Sequence, residues 1–327
     1  MKAVYIREFG GPENLEIREV EDPGDPEGNE VLVRVAAAAL NRADLLQRKG
    51  FYPAPEGYPD RIPGLEFAGT VVACGPSAGR FRESDRVFGI TAGGAQAEFV
   101  LTREDHLAPV PSNLELVDAA AVPEAFITAH DAVWTQGGLK EGETLLIHAV
   151  GSGVGLAALQ IAKAKGNRVI GTSRTAEKIE DCKKFGLDVA IDTGEDSGFS
   201  AQIGNSVDVI LDLVGASYFQ ENLKSLAPKG RLMLVGLVGG RKAEFDLGTA
   251  LTKRLTIKGT VLRSRSDEEK ASATAAFARD ILPLLESGSI VPNVDRVFAA
   301  EDVREAHEYL ESNESFGKVV LSMGNGQ

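Results

Sequence analysis

The chain has 327 residues, enough for two domains that each bury a core. Its formal net charge is −13 with no basic cluster, which argues against nucleic acid and anionic membrane surfaces as partners. Only Cys74 and Cys182 occur, far apart and without partner spacing, so a disulfide framework does not fit and a cytoplasmic setting is expected.

The first third reads as β-rich with Gly/Pro punctuation. Lys2–Arg7, Leu15–Glu19, Val31–Ala37, Gly69–Ala73, Arg86–Gly89 and Ala97–Leu101 are strand candidates, separated by turn clusters such as Asp22-Pro23-Gly24-Asp25-Pro26. Because Met1-Lys2-Ala3-Val4-Tyr5-Ile6 already reads as a strand, no signal peptide is expected, and no apolar run is long enough to span a bilayer. Around Val117–Gly137 the pattern turns helical. From Thr144 strands at 144–149, 168–172, 189–192, 207–213, 231–235 and 255–260 alternate with helices near 155–165, 176–185 and 217–227, the pattern of a doubly wound parallel sheet. A long helix over Asp267–Ser287, a helix at Glu301–Ser312 and a last strand near Gly317–Leu321 follow, and this tail resembles the β-rich beginning. The expected division is therefore 1–123 as the first part of a β-rich catalytic domain, 124–262 as a Rossmann domain, and 263–327 as a return to the first.

The most informative segment runs from Thr144 to Gly155. An apolar strand empties into Gly151-Ser152-Gly153-Val154-Gly155, and the helical pattern Leu156, Leu159, Ile161, Ala162 follows without a spacer. Glycines let main-chain N–H groups approach a pyrophosphate, and the helix N-terminus favours the same charge. The order is G-x-G-x-G with Leu156 next, a partial match to the strict dinucleotide fingerprint. Gly166 as a helix cap and Arg168–Thr172 as the next strand complete the βαβ context that the fingerprint requires.

Leu40-Asn41-Arg42-Ala43-Asp44 with Pro63-Gly64-Leu65-Glu66-Phe67-Ala68-Gly69 resembles the medium-chain dehydrogenase/reductase superfamily. Further segments are similar to its zinc-free quinone oxidoreductases of the zeta-crystallin type. They are Pro123–Ala129, 148–155, Asp212–Gly215, Gly236–Gly240 and Leu262-Arg263-Ser264-Arg265-Ser266; the last, with Asn41–Asp44, points to the branch of the tumour-suppressor-inducible quinone oxidoreductase. The resemblance implies an α/β chain, with a GroES-like β-rich catalytic domain and a Rossmann domain with a doubly wound parallel sheet. It also implies a homodimer, by pairing of the strand at 255–260 across a two-fold axis. Zinc alcohol dehydrogenases of this fold carry Cys at the position of Asn41 and Gly-His-Glu at Gly64-Leu65-Glu66. Leu65 cannot ligate and an amide is a poor zinc ligand, so no metal is expected. Hydride transfer without a Lewis acid suits a quinone or the double bond of an enone.

NAD-selective folds place an acid at the end of the second strand. Here Ser173 stands there, followed by Arg174 and, one turn on, Lys178. Hydroxyls and cations favour a 2′-phosphate, so NADPH is the expected cofactor; as alternatives, Arg174 and Lys178 read as solvated helix-start charges. Ser152, Gly153 and Val154 are candidates for the diphosphate. The resemblance adds Thr128 facing the nicotinamide, Thr193 where relatives hold a tyrosine beside the phosphate, Gly236 and Leu237 after the fifth strand, Leu262 and Arg263 closing over the nicotinamide half, and Lys318 as a cofactor-side contact or a surface strand-start lysine. The catalytic candidates are Tyr52, in a loop that the resemblance brings to the substrate, Asn41, and Asp44, each with a structural alternative: loop packing, a turn, and helix capping. The expected activity is zinc-independent hydride transfer from NADPH to a small-molecule quinone. The alternatives are an enone or enoyl-thioester reductase, and an NADPH-binding protein without turnover.

Overall fold

The computed structural model describes residues 1–194 and 198–324. Two compact units share the chain: Met1–Ile127 with Leu262–Gln327, and Thr128–Val261. The first junction falls inside the helix Pro123–His130, and the second lies between Val261 and Leu262. In chain order the strands are β1 (Lys2–Ile6), β2 (Leu15–Glu19), β3 (Glu30–Ala39), β4 (Glu66–Cys74), β5 (Arg86–Ile90), β6 (Phe99–Arg103), β7 (Leu107–Pro109), β8 (Thr144–Ile147), β9 (Arg168–Ser173), β10 (Val189–Asp192), β11 (Val207–Asp212), β12 (Leu226–Leu234), β13 (Thr256–Gly259), β14 (Val294–Ala299) and β15 (Lys318–Ser322).

In the first unit, β3 is the central strand. It pairs antiparallel with β4, β6 and β15, and the sheet runs β14-β15-β3-β4-β5-β7. Val31, Val33 and Val35 alternate into the core with no exposed surface, as the two-residue period of a half-buried strand requires. The C-terminal return is thus built into the middle of the unit. Two expectations are corrected. The sixth strand begins at Phe99 rather than Ala97, because Val100 and Thr102 are the residues that alternate inward, while Ala97 makes an isolated bridge to Ala3. The helix expected over Asp267–Ser287 breaks into Asp267–Asp280 and Leu282–Glu286, since Pro283 has no N–H to continue the ladder and its ring crowds the preceding turn.

The second unit is an all-parallel sheet in the order β10-β9-β8-β11-β12-β13. Leu145, Leu146, Ile147, Val209, Ile210 and Leu211 are all without exposed surface, the signature of strands covered on both faces. The strand order reverses between β8 and β11, so their carboxyl ends open a crevice there, where open α/β sheets take ligands. The helix Gly153–Ala164 starts at that edge. Ser152 caps it by accepting the Gly155 N–H at 3.2 Å, and Gly166, at φ 76°, closes it in a left-handed conformation. Among the described residues no helix is long and apolar enough to cross a membrane.

At Gly155 the turn closes so tightly that an added Cβ would lie 2.6 Å from the carbonyl oxygens of both Ala149 and Val150. Gly155→Ala is expected to lower the unfolding free energy by about 1–3 kcal/mol, read as a lower urea midpoint at unchanged slope. An unchanged midpoint would show that the turn yields at no cost.

Candidate functional site

The carboxyl edge of the parallel sheet is organised by a buried polar chain. His148 directly follows the strand β8 and is fully buried; its Nδ1 lies 2.9 Å from Thr172 Oγ1 and its Nε2 2.6 Å from Asn222 Oδ1. Asn222 Nδ2 in turn donates to Asp212 Oδ2 at 3.0 Å. That fixes Asn222 Oδ1 as an acceptor, so the imidazole carries its proton on Nε2 and takes the Thr172 hydroxyl hydrogen on Nδ1. Burial lowers the His148 pKa, which keeps the ring neutral. The other oxygen of Asp212 accepts the N–H groups of Val214 and Gly215, both at 2.8 Å, and the Asp212 carbonyl accepts those of Val235 and Gly236. One residue therefore ties together the glycine turn, the loop after β11 and the loop after β12.

Around this frame Ser152, Gly153 and Val154 keep partly exposed surface at the first turn of their helix, and Gly236 and Leu237 keep theirs in the loop after β12. Ala149 adopts φ 49°, a left-handed conformation that costs free energy for a residue with a Cβ and turns the chain toward the helix. At the end of β9 the Ser173 side chain is buried and accepts the Thr175 N–H at 3.1 Å, whereas Arg174 is exposed and Lys178 partly exposed. Thr193 is different. Its hydroxyl is buried, donates to the Ser173 carbonyl at 3.1 Å and accepts from Tyr218 Oη at 2.6 Å. A tyrosine does reach this corner, but from a later segment than the one that sequence position suggests.

The first unit gathers a second polar cluster. Asp44 accepts the Asn41 N–H at 2.7 Å and the Gly64 N–H at 3.0 Å, holding the start of the helix Arg42–Arg48 against the loop before β4. It is fully buried, and burial pushes its carboxyl up to about 6 despite those amides and the nearby Lys318 and Arg263. Glu66 is equally buried. Its Oε1 accepts from Asn41 Nδ2 at 2.9 Å and pairs with Lys318 Nζ at 2.6 Å, while its Oε2 accepts the Glu124 N–H at 2.8 Å. Lys318 also donates to the Leu40 carbonyl and to Asn41 Oδ1. It is a strand-start lysine, as the sequence has it, but a buried one.

Arg263 is 4% exposed and spends its donors on the Ala92 carbonyl, the Tyr52 carbonyl and Gln47 Oε1, at 2.7–2.9 Å. Its guanidinium carbon also sits 4.9 Å from the centroid of the Tyr52 ring. The arginine therefore fastens the Tyr52 loop. Of the three catalytic candidates, Tyr52 and Asn41 keep partly exposed surface, whereas Asp44 has none and acts as a positioning residue. Thr128 is partly exposed on the helix Pro123–His130, and Leu262 is buried. Sequence reasoning missed Glu124, whose carboxyl is pushed up to about 8 by burial and by the neighbouring Glu66. It also missed the role of Asp212. Both lie in segments marked by the resemblance, and a carboxylate inside an otherwise apolar run was the available signal.

Residues 27–112 match the alcohol dehydrogenase GroES-like domain, and residues 153–277 match the zinc-binding dehydrogenase family. The quinone oxidoreductase of Lama guanicoe is 32% identical, over 98% of this chain and 97% of that protein. A solved quinone oxidoreductase from Pseudomonas syringae superposes with a TM-score of 0.87 at 30% identity, covering 98% of this chain and 99% of its own. A mycobacterial protein solved with NADPH gives a TM-score of 0.86 at 32% identity, again over 98% and 99%. The GroES-like and Rossmann parts make a nicotinamide-dinucleotide-dependent oxidoreductase. Within that class the chain belongs to the quinone oxidoreductase-like family of the medium-chain dehydrogenase/reductase superfamily.

Lys318→Met leaves the Glu66 carboxylate buried beside amides alone. The expected cost is about 3–5 kcal/mol in chemical denaturation, because one partner of a buried pair is removed. Adding Glu66→Gln to that variant should recover most of the loss. A single variant as stable as the parent would show that Glu66 is hydrated or protonated in the fold.

Proposed function

We propose that this protein transfers a hydride from NADPH to a small quinone without zinc. The observation that carries the reading is the Lys318 ammonium, 2.6 Å from Glu66 Oε1 and 2.8 Å from Asn41 Oδ1. Where zinc alcohol dehydrogenases of this fold set metal ligands, this chain has an amide, a leucine and a carboxylate already neutralised by its own cation. A dication there would meet that ammonium at close range, with repulsion of several kcal/mol at an effective dielectric near 20. Among the described residues no group of three or more His, Cys, Asp or Glu is arranged to hold a metal. An acceptor that needs little polarisation fits such a site, and quinone oxidoreductases are among its relatives.

The residues present fit NADPH. Gly155 leaves no room for a Cβ against the Ala149 and Val150 carbonyls, so the helix starts hard against the strand, and its first turn would offer the N–H groups of Gly153 and Val154 to a diphosphate beside the Ser152 side chain. Arg174 follows Ser173 directly and Lys178 comes one turn on in the chain, and these two would receive the 2′-phosphate, with Ser173 rather than an acid at that strand end. In the parallel-sheet unit, the loop at Gly236–Leu237 together with Thr128 would hold the nicotinamide half. When bound, the cofactor supplies the hydride. Tyr52, held by Arg263, and Asn41, held by Glu66 and Lys318, orient the acceptor. The neighbour solved with NADPH supports the same cofactor here.

Steady-state assays should show turnover of a small para- or ortho-quinone with NADPH that survives dialysis against a chelator, and weaker turnover with NADH. Arg174→Ala should weaken NADPH binding about tenfold, the low end of a charge-assisted contact, and leave NADH binding unchanged. No quinone turnover would overturn the activity, and an equal loss for both cofactors would overturn the phosphate contact. We also propose a homodimer through β13, an edge strand of the parallel sheet; the helix Leu247–Lys253 just ahead of it in the chain leaves Leu247 and Leu251 71% and 78% exposed. Light scattering should give twice the chain mass, falling to the single mass in the Leu247→Asp/Leu251→Asp variant. A monomeric parent protein would rule the edge out.

A further inference from the structure

We infer that Glu124 is the proton donor to the reduced acceptor, a step that rests on the quinone reduction proposed above. The helix Pro123–His130 is buried at every position except Glu124 and Thr128. These two are one turn apart, so the open stripe of this helix presents a carboxyl and a hydroxyl side by side. Thr128 is one of the residues assigned above to the nicotinamide half of the cofactor.

Glu124 also stands apart from the other carboxyls of its cluster. Both oxygens of Asp44 accept main-chain N–H groups, and both oxygens of Glu66 are engaged by Asn41, Lys318 and the Glu124 amide. The Glu124 carboxyl oxygens accept no hydrogen bond from any described residue. The charged and titratable groups facing it are Glu66 from β4, Lys318 from β15, Asp44 from the helix Arg42–Arg48, Arg263 from the segment after Val261, and Tyr52 from its loop. Neither cation donates to it: Lys318 is committed to Glu66, Asn41 and Leu40, and Arg263 to Ala92, Tyr52 and Gln47. Burial and the Glu66 carboxylate then hold its proton in place up to about pH 8. The same burial drives the Tyr52 phenol further up, making it the weaker acid of the two.

The step balances. The quinone accepts the hydride, with its two electrons, and becomes the hydroquinone monoanion. The Glu124 O–H bond then breaks as an O–H bond forms on the hydroquinone oxygen, and solvent reprotonates the carboxylate through its partly exposed side. A donor whose pKa lies near the working pH suits this transfer. Because only the neutral acid can donate, turnover should fall as pH rises through about 8.

Two measurements test this. Glu124→Gln should bind NADPH as the parent does in calorimetry but reduce the quinone about a hundredfold more slowly, and its rate should lack the alkaline fall; Glu124→Asp should restore part of both. Independently of turnover, infrared spectra of the parent at pH 7 should show a protonated-carboxyl band that titrates near pH 8 and is missing in Glu124→Gln. If Glu124→Gln does not fold, the parent's pH–rate profile and infrared titration decide the matter together. A variant that keeps the parent's rate and alkaline limb, or a Glu124 ionised at pH 7, overturns the inference while leaving quinone reduction standing. A parent protein that reduces no quinone removes the functional reading, and this step with it, even with the infrared band in place.

Discussion

The first unit is organised around the contact between Lys318 and Glu66. Stripping water from both charges is costly, and the geometry offsets that cost by filling every site on the ammonium. Its three hydrogens go to Glu66 Oε1, Asn41 Oδ1 and the Leu40 carbonyl. The carboxylate is saturated in the same way, by the lysine, the Asn41 amide and the Glu124 N–H. Through these bonds β15, the end of β3, the start of the following helix, β4 and the helix Pro123–His130 hold one register. A buried pair of this kind specifies an arrangement more than it adds stability. Here it specifies the orientation of Asn41 and the environment of Glu124.

The second unit uses the same device with a different carboxylate. Asp212, itself fully buried, sits at the end of β11 and gathers two main-chain N–H groups on one oxygen and the Asn222 amide on the other, and Asn222 hands the connection to His148. The loops that line the carboxyl edge are thereby set by a rigid scaffold rather than by their own packing. The aromatic contacts of His148 with Phe199 and Tyr218, at centroid separations of 5.0 and 4.8 Å, close the underside of the same edge.

Local patterns carried the fold well. The unbroken apolar runs of the parallel strands, the glycines before Leu156 and the absence of an acid at Ser173 are all short-range signals, and the alternation of strand and helix points to a doubly wound parallel sheet. What stayed hidden depends on distance along the chain. Lys318 looks like any strand-start lysine until β15 is placed beside β3. The Asp44 capping role lay open in the spacing from Asn41, but nothing local shows that Asp44 is sealed from solvent. Thr193 occupied the expected corner in sequence, yet the Tyr218 hydroxyl that engages it comes from beyond β11. The break at Ile281 was readable from Pro283, which has no N–H to continue the helix.

The split of the first unit into Met1–Ile127 and Leu262–Gln327 carries a consequence for biosynthesis. Translation delivers Glu66 before Lys318, with the whole contiguous parallel-sheet unit emerging between them. The nascent N-terminal segment therefore waits on the ribosome with a carboxylate that has no cation to meet, while the later segment can already fold as a unit. The first unit can close around Glu66 only once β15 has been made, and that strand serves as its latch.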